Sequence, residues 1–347
     1  MRFRRQSEEF LEVTQPARAD DEYLGDMLGG HVITQIIASA VRFGLPDLLA
    51  HGSVSGRQLS ALTGIGLPEL RRFMRALAGL GLVTATGTGD YQGTPLARHL
   101  LRDSGRLHGH ALMSGQEYYE AWSELDSVLR TGKSAYELRH GRDLWARLSD
   151  DEDLATSFNR TMRWNMERTL AEILDLYSFP ERGIIADLGA GDGALSATLL
   201  RRYPGLRAIV FEQPSAVCHS SRAMRAQGLA DRCEFIGGSF LDAVPQGADL
   251  YLLKSVIHNW DDATAVRILS NCRDAMSPDN RLILIERARF DGDPLEVAVR
   301  DLAMLVLFGS HDRTSKEYGE LMRQAGLRVI CTAMGPSGIC VLEAGAA

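Results

Sequence analysis

At 347 residues, with 45% hydrophobic and 24% charged side chains, the chain has a globular composition and is long for a single core, so two domains are expected. A net charge of -7 argues against a general nucleic-acid binder, which needs a basic face for phosphates. The five cysteines form no C-x-x-C pair and no Cys/His cluster with zinc spacing, which speaks against a disulfide framework or a metal site and for reduced thiols in the cytoplasm.

Met1-Arg2-Phe3-Arg4-Arg5 is followed by Gln6-Ser7-Glu8-Glu9 rather than an apolar core, so no secretory signal is expected. No apolar run is expected to reach the length of a membrane span, and no membrane partner is assigned. Residues up to about Asp21 read as a polar arm. From Tyr23 to Leu49, Leu24, Met27, Leu28, Ile33, Ile36, Ile37, Ala40, Val41, Leu45 and Leu48 recur at helical spacing, divided into two helices by Gly44 and Pro46. Such a stripe must be buried somewhere, and a second copy of the chain is the expected cover. A helix with Ser55 as N-cap, a helix starting near Leu67-Pro68, and a hairpin from Leu82 to Tyr91 turning at Gly87 and Gly89 give a winged-helix pattern. Arg71, Arg72 and Arg75 could reach DNA, but Phe73, Met74 and Leu77 make most of that helix core, so a dimerisation role is preferred.

The chain stays helical from Leu107 to about Tyr177. On its long helix Asn159, Met162 and Met166 share a face at i, i+3 and i+7, either as core or as the roof of a ligand pocket. Tyr118, Tyr119, Trp122 and Trp164 could line the same pocket or serve as core.

From Gly183 the pattern is doubly wound α/β. Strands Ile184–Asp187, Ala208–Glu212, Glu234–Ile236, Asp249–Lys254 and Arg281–Glu286 alternate with helices near Leu195–Tyr203, Ala216–Gln227 and Ala263–Met276. Ligands bind such a sheet at the carboxyl ends of its strands. The first strand ends in Asp187 and enters the turn Gly189, Gly191, Gly193, where glycine tolerates positive φ and lets a ligand approach. About twenty residues further on, Glu212 ends the next strand, where an acid can accept both hydroxyls of a ribose. There is no G-x-x-x-x-G-K-[ST] loop, which argues against an ATP or GTP machine. Asp187 beside the turn would repel a pyrophosphate and suits the cationic end of S-adenosylmethionine, although by spacing alone a nicotinamide enzyme stays open.

Three stretches are the most specific: Asp187-Leu188-Gly189-Ala190-Gly191-Asp192-Gly193, Leu253-Lys254-Ser255-Val256-Ile257-His258-Asn259-Trp260-Asp261-Asp262, and Asp312-Arg313-Thr314. With Phe158-Asn159-Arg160-Thr161-Met162, they make the chain resemble class I S-adenosylmethionine-dependent O-methyltransferases of the plant caffeate and flavonoid type and their bacterial aromatic polyketide and antibiotic-pathway relatives. The resemblance implies a Rossmann-like catalytic domain at 181–347, a winged-helix dimerisation domain at 1–106 and a connector at 107–180 roofing the substrate pocket. It also implies a homodimer whose first domain helps close the partner's pocket, no metal, and a hydroxylated aromatic acceptor.

His258 is then the general base for a phenolic hydroxyl, flanked by Glu286 and Asp312, which orient it and favour its protonated form. Asp312 stands where relatives usually carry Glu, one methylene longer, which leaves its direct contact with His258 open. The implied cofactor set is Asp187, Gly189, Gly191, Glu212, Gln213, Gly238, Ser239, Phe240, Lys254 and Trp260, with Ser239 where relatives have Asp. The implied pocket set is Asn159, Met162, Asn165, Met166, Asp301 and Met304. The alternatives are altered chemistry on the same cofactor, such as hydroxylation or decarboxylation, and a cofactor-sensing regulator using the winged helix.

Overall fold

The computed structural model describes residues 20–87, 89–290 and 295–347. The arm expected up to Asp21 and the segment that argues against a secretory signal lie outside the described residues, apart from Asp20 and Asp21, which open the first helix. The chain divides into two compact units between Gln116 and Glu117.

In the first unit, helices Asp20–Leu28 and Gly30–Arg42 lead to Gly56–Thr63 and Leu67–Gly79. Ser55 caps the third of these in a capping box with Gln58, and Pro68 occupies the first turn of the fourth. Strands β1 (Val54–Ser55), β2 (Val83–Thr86) and β3 (Asp90–Gly93) form a sheet in the order β1-β3-β2, so the helix-turn-helix carries its hairpin wing. Leu59, Leu70, Met74 and Leu77 are buried, while Arg71, Arg72 and Arg75 are exposed. The expectation that no apolar run reaches membrane length needs correction, because Asp20–Arg42 is long and apolar enough by composition. Its Tyr23, Leu24, Met27, Leu28 and Val32 are exposed, as expected for a stripe that lacks its cover. The unit also takes in helix His108–Gly115, which the sequence reading gave to the connector. Gln35 Nε2 donates to Gly115 O at 2.8 Å, and Gly115 approaches Ala38 too closely for any side chain.

The second unit is built on a seven-stranded sheet. Its strands are β4 (Arg182–Leu188), β5 (Gly205–Glu212), β6 (Cys233–Gly237), β7 (Leu250–Lys254), β8 (Arg281–Arg287), β9 (Leu327–Met334) and β10 (Ile339–Ala346), in the order β6-β5-β4-β7-β8-β10-β9. Strands β4 to β8 pair in parallel, whereas β10 runs antiparallel to both β8 and β9. The five strands read from the sequence are all present. The β9–β10 hairpin is the addition: β10 slides between β8 and β9 and is buried along most of its length. The strand order reverses between β5 and β7 on either side of β4, which opens a crevice at the carboxyl ends of β4 and β7.

Apolar layers cover both faces of the sheet. One includes Ala186, Leu253 and Leu284 with Ile268 and Tyr318; the other includes Ile185, Leu252 and Ile283 with Leu199, Met166 and Ile173. The last two belong to helix Glu152–Leu176, so the expected connector is continuous with the catalytic core. Leu284 has no exposure at all, and Leu284→Ala should lower unfolding free energy by about 2–5 kcal/mol, through lost burial and the cavity left behind. The same truncation at the exposed Leu129 should stay within about 0.5 kcal/mol; denaturant unfolding checks both.

Candidate active site

The turn after β4 places Gly189, Gly191 and Gly193 at φ of 73°, 59° and 77°, all left-handed. A side chain at Gly189 would press on Val256 and Phe240, whereas the same addition at Gly191 meets nothing within 4 Å. The turn is therefore packed from below and open at Gly191. Asp187, buried beneath it, accepts a hydrogen bond from Ser196 Oγ at 2.6 Å, and burial raises its pKa. Glu212 ends β5 and is held by two backbone donors, Gly191 N to Oε2 at 2.7 Å and Gln213 N to Oε1 at 2.8 Å. Gln213 thus joins the site through its backbone. Burial raises the Glu212 pKa as well, against the pull of those two donors.

Gly238 lies so close to the Phe211 ring that no Cβ fits there. The next turn is fixed by Ser239 Oγ accepting from Leu241 N at 3.2 Å and by Asn271 Nδ2 donating to Phe240 O at 2.8 Å. The Phe240 and Trp260 rings meet edge to face at 6.0 Å, and Trp260 Nε1 is buried without a partner among the described residues. Lys254, at the end of β7, has its pKa lowered by burial while Glu286 and Asp187 pull the other way. Taken together, these residues offer an open glycine turn, a strand-end acid, an aromatic wall with an unused donor, and a buried cation. That set fits a nucleoside carrying a charged amino-acid tail. Among the described residues no group of His, Cys, Asp and Glu side chains could hold a metal ion.

His258 sits on a single 3-10 turn, Ile257–Asn259, directly beyond β7. The turn is reached through Ser255, whose φ of 55° makes it the one non-glycine residue with positive φ among those described. That kink aims Val256 N and Ile257 N at Glu286 Oε1, at 2.9 and 2.8 Å. Glu286 Oε2 is left 3.2 Å from His258 Nδ1, close but without hydrogen-bond alignment. Asp312 Oδ1 is 3.8 Å from the same nitrogen, beyond hydrogen-bond reach. The short side chain is engaged elsewhere: Arg300 Nε donates to Asp312 Oδ2 at 2.7 Å. Burial lowers the His258 pKa below 6.5; Glu286 opposes the shift, and Lys254, Arg300 and Arg313 reinforce it. The acids were expected to favour the protonated ring, yet burial and the three cations shift its pKa the other way.

The remaining sequence candidates divide. Asn159, Met162, Asn165 and Met304 are half-buried on helices Glu152–Leu176 and Leu295–Phe308. Met166 belongs to the core beside the sheet. Asp301, expected to face substrate, accepts from Asp312 N at 2.7 Å and lies 3.7 Å from Arg289, so it steadies Asp312. Tyr119 is exposed, while Trp145, which is not among the sequence candidates, packs between Phe158 and Phe308 at 5.8 and 5.5 Å.

Ser310 and Arg313 were missed as well. Ser310 Oγ donates to His258 O at 2.6 Å and to Trp260 O at 3.0 Å. Arg313 is buried, donates to Ile257 O and Trp260 O, and pairs with Asp262 at 2.6 Å. The only signal for Arg313 was its place beside Asp312.

Comparison with known proteins agrees with this arrangement. The O-methyltransferase dimerisation domain matches residues 26–103 and the O-methyltransferase domain residues 122–328. A phenazine O-methyltransferase of Lysobacter antibioticus is 33% identical over 92% of this chain and 94% of its own. The mitomycin biosynthesis 6-O-methyltransferase of Streptomyces lavendulae is 33% identical over 91% of each chain. A solved O-methyltransferase from neocarzinostatin biosynthesis, in complex with S-adenosylmethionine and a hydroxy-methyl naphthoic acid, superposes with a TM-score of 0.78 at 29% identity, covering 92% of this chain and 98% of its own. The chain belongs to the S-adenosylmethionine-dependent O-methyltransferases of secondary-metabolite biosynthesis that join a dimerisation domain to a catalytic domain.

Proposed function

We propose that this O-methyltransferase methylates a hydroxyl of an aromatic small molecule, with His258 as the general base. The observation that carries the reading is a half-buried imidazole whose Nδ1 lies 3.2 Å from a carboxylate fixed by two backbone donors. Glu212 would hold the ribose hydroxyls of the donor, Phe240 and Trp260 the adenine edge, with Ser239 nearby. Lys254 and the turn at Asp187, Gly189 and Gly191 would receive its amino-acid end. When bound, S-adenosylmethionine supplies an electrophilic methyl group, and the oxygen–carbon bond forms as the carbon–sulfur bond breaks with its electron pair left on sulfur.

A phenol has a pKa near 10, so only about a thousandth of it is ionised at neutral pH. His258 Nε2 takes the hydroxyl proton as the oxygen attacks. Glu286, 3.2 Å from Nδ1, would favour the proton on that nitrogen, leaving the Nε2 lone pair free, and would stabilise the imidazolium that forms. Asp312, bonded to Arg300, acts on the ring only through space.

His258→Ala should lower kcat by roughly 10²–10⁴ while leaving affinity for S-adenosylhomocysteine unchanged. Wild-type turnover by the alanine variant on a panel of phenols would sink the reading. A product heavier by an oxygen rather than a methylene would point to altered chemistry.

The base works only when unprotonated, and its pKa is lowered, so the acidic limb of the kcat/KM profile should fall below pH 6.5. Arg300→Gln removes a cation and frees the Asp312 charge. Both raise the histidine pKa, so the limb should move to higher pH.

We also infer that the first unit makes a homodimer and does not bind DNA, because its exposed apolar stripe needs cover and its second helix is largely core. Leu24→Glu with Leu28→Glu should shift the sedimenting species from dimer to monomer. An electrophoretic shift of duplex DNA at moderate salt would contradict the second half of this inference.

A further inference from the structure

Residues 257–262 carry both the histidine of the site and one wall of the donor crevice. His258 stands on the 3-10 turn, and two residues later the Trp260 ring meets Phe240 edge to face at 6.0 Å. A single 3-10 turn holds itself weakly. Its own backbone bonds here, Asn259 N to Val256 O and Trp260 N to Ile257 O, are 3.1 and 3.2 Å long. The carbonyls of Ile257, His258 and Trp260 are taken up from elsewhere, by two side chains of segment 310–313. Ser310 Oγ lies 2.6 Å from His258 O and 3.0 Å from Trp260 O, so its one proton serves either carbonyl. Arg313 donates from Nη1 to Ile257 O at 3.3 Å and from Nη2 to Trp260 O at 2.8 Å. Its Nε and Nη2 also reach Asp262 Oδ1, at 2.9 and 2.6 Å. Ser310 is 4% and Arg313 1% exposed. A buried guanidinium needs its charge balanced, and the Asp262 carboxylate supplies that. The rest of the rigid fork is spent on the two ends of the histidine turn. Trp260 O is where Ser310 and Arg313 meet, and Trp260 Nε1, buried without a partner among the described residues, gives a bound nucleoside a handle on the same loop.

We propose that Ser310 and Arg313 are positioning residues that bind donor wall and base into one body, so that seating the donor against Trp260 sets the aim of His258. A misplacement of about 1 Å in such a site can cost about a hundredfold in rate. The clamp removes that freedom as the donor binds, before any proton moves. The inference rests on the methyl-transfer reading for the role of His258, and its test follows donor and base separately.

The full chain, with its histidines labelled at Cε1 with carbon-13, is titrated with S-adenosylhomocysteine, as wild type and as Ser310→Ala, Asp262→Ala and Arg313→Lys. Ser310→Ala removes one hydroxyl and Asp262 is exposed, so both variants should stay folded, which denaturant unfolding checks. In the wild type, saturation with S-adenosylhomocysteine should shift the ring resonance that His258→Ala abolishes. In the three variants that shift should shrink. Their affinity for S-adenosylhomocysteine should fall at least about threefold, the worth of one hydrogen bond. Their kcat at saturating donor should fall about tenfold, with acceptor KM within about twofold of wild type, the split expected when alignment and not acceptor binding is lost. Lower stability with the shift, affinity and kcat all unchanged would make the clamp merely structural and overturn the proposal. A wild-type His258 resonance indifferent to S-adenosylhomocysteine would overturn it too. Shrunken shifts in the variants together with normal turnover by His258→Ala would keep the clamp and remove the base. Turnover lost in His258→Ala but normal in every clamp variant would do the reverse.

Discussion

The carboxylate of Glu286 is the constraint on which the active site depends. It is only 1% exposed, and a buried carboxylate is costly unless its oxygens are bonded. Its bonds come from Val256 N and Ile257 N, two backbone groups that point inward only because Ser255 turns the chain left-handed at the end of β7. The strained residue and the buried charge therefore stabilise each other. Together they bring His258 to the crevice where the strand order of the sheet reverses.

Electrostatics then set what the histidine can do. A ring beside two acids would ordinarily hold its proton. Burial and the cations Lys254, Arg300 and Arg313 outweigh Glu286, and Asp312 is drawn off by Arg300. Asp312, lacking the additional methylene of glutamate, stops at 3.8 Å from the ring and pairs with the arginine instead. Asp312 thus serves as the anchor of a cation and not as a direct partner of the ring.

Most of the Rossmann-like half was legible because its strands are buried on both faces and read as short apolar runs ended by Asp187, Glu212, Lys254 and Glu286. The glycine turn and the donor-side residues followed from position at those strand ends. The β9–β10 hairpin was not read, although Gly335-Pro336-Ser337-Gly338 marks its turn, because β9 is an edge strand with mixed burial and lacks a clear alternation. The acceptor side was legible only in part. Met162 and Met166 share a helical stripe, and only three-dimensional packing sends Met166 to the core. The contacts of Ser310 and Arg313 join segments far apart in sequence, which no local pattern encodes.

Arg313 binds two carbonyls of the histidine-bearing loop and the Asp262 carboxylate, while Ser310 holds two carbonyls of that loop from the same connecting segment. His258 is thereby anchored to the segment leading into helix Ser315–Gln324, and helix Leu295–Phe308 reaches it through Arg300 and Asp301, both bonded to Asp312. A change on helix Leu295–Phe308 can therefore be felt at the imidazole through Asp312, without altering any residue of the loop that carries it.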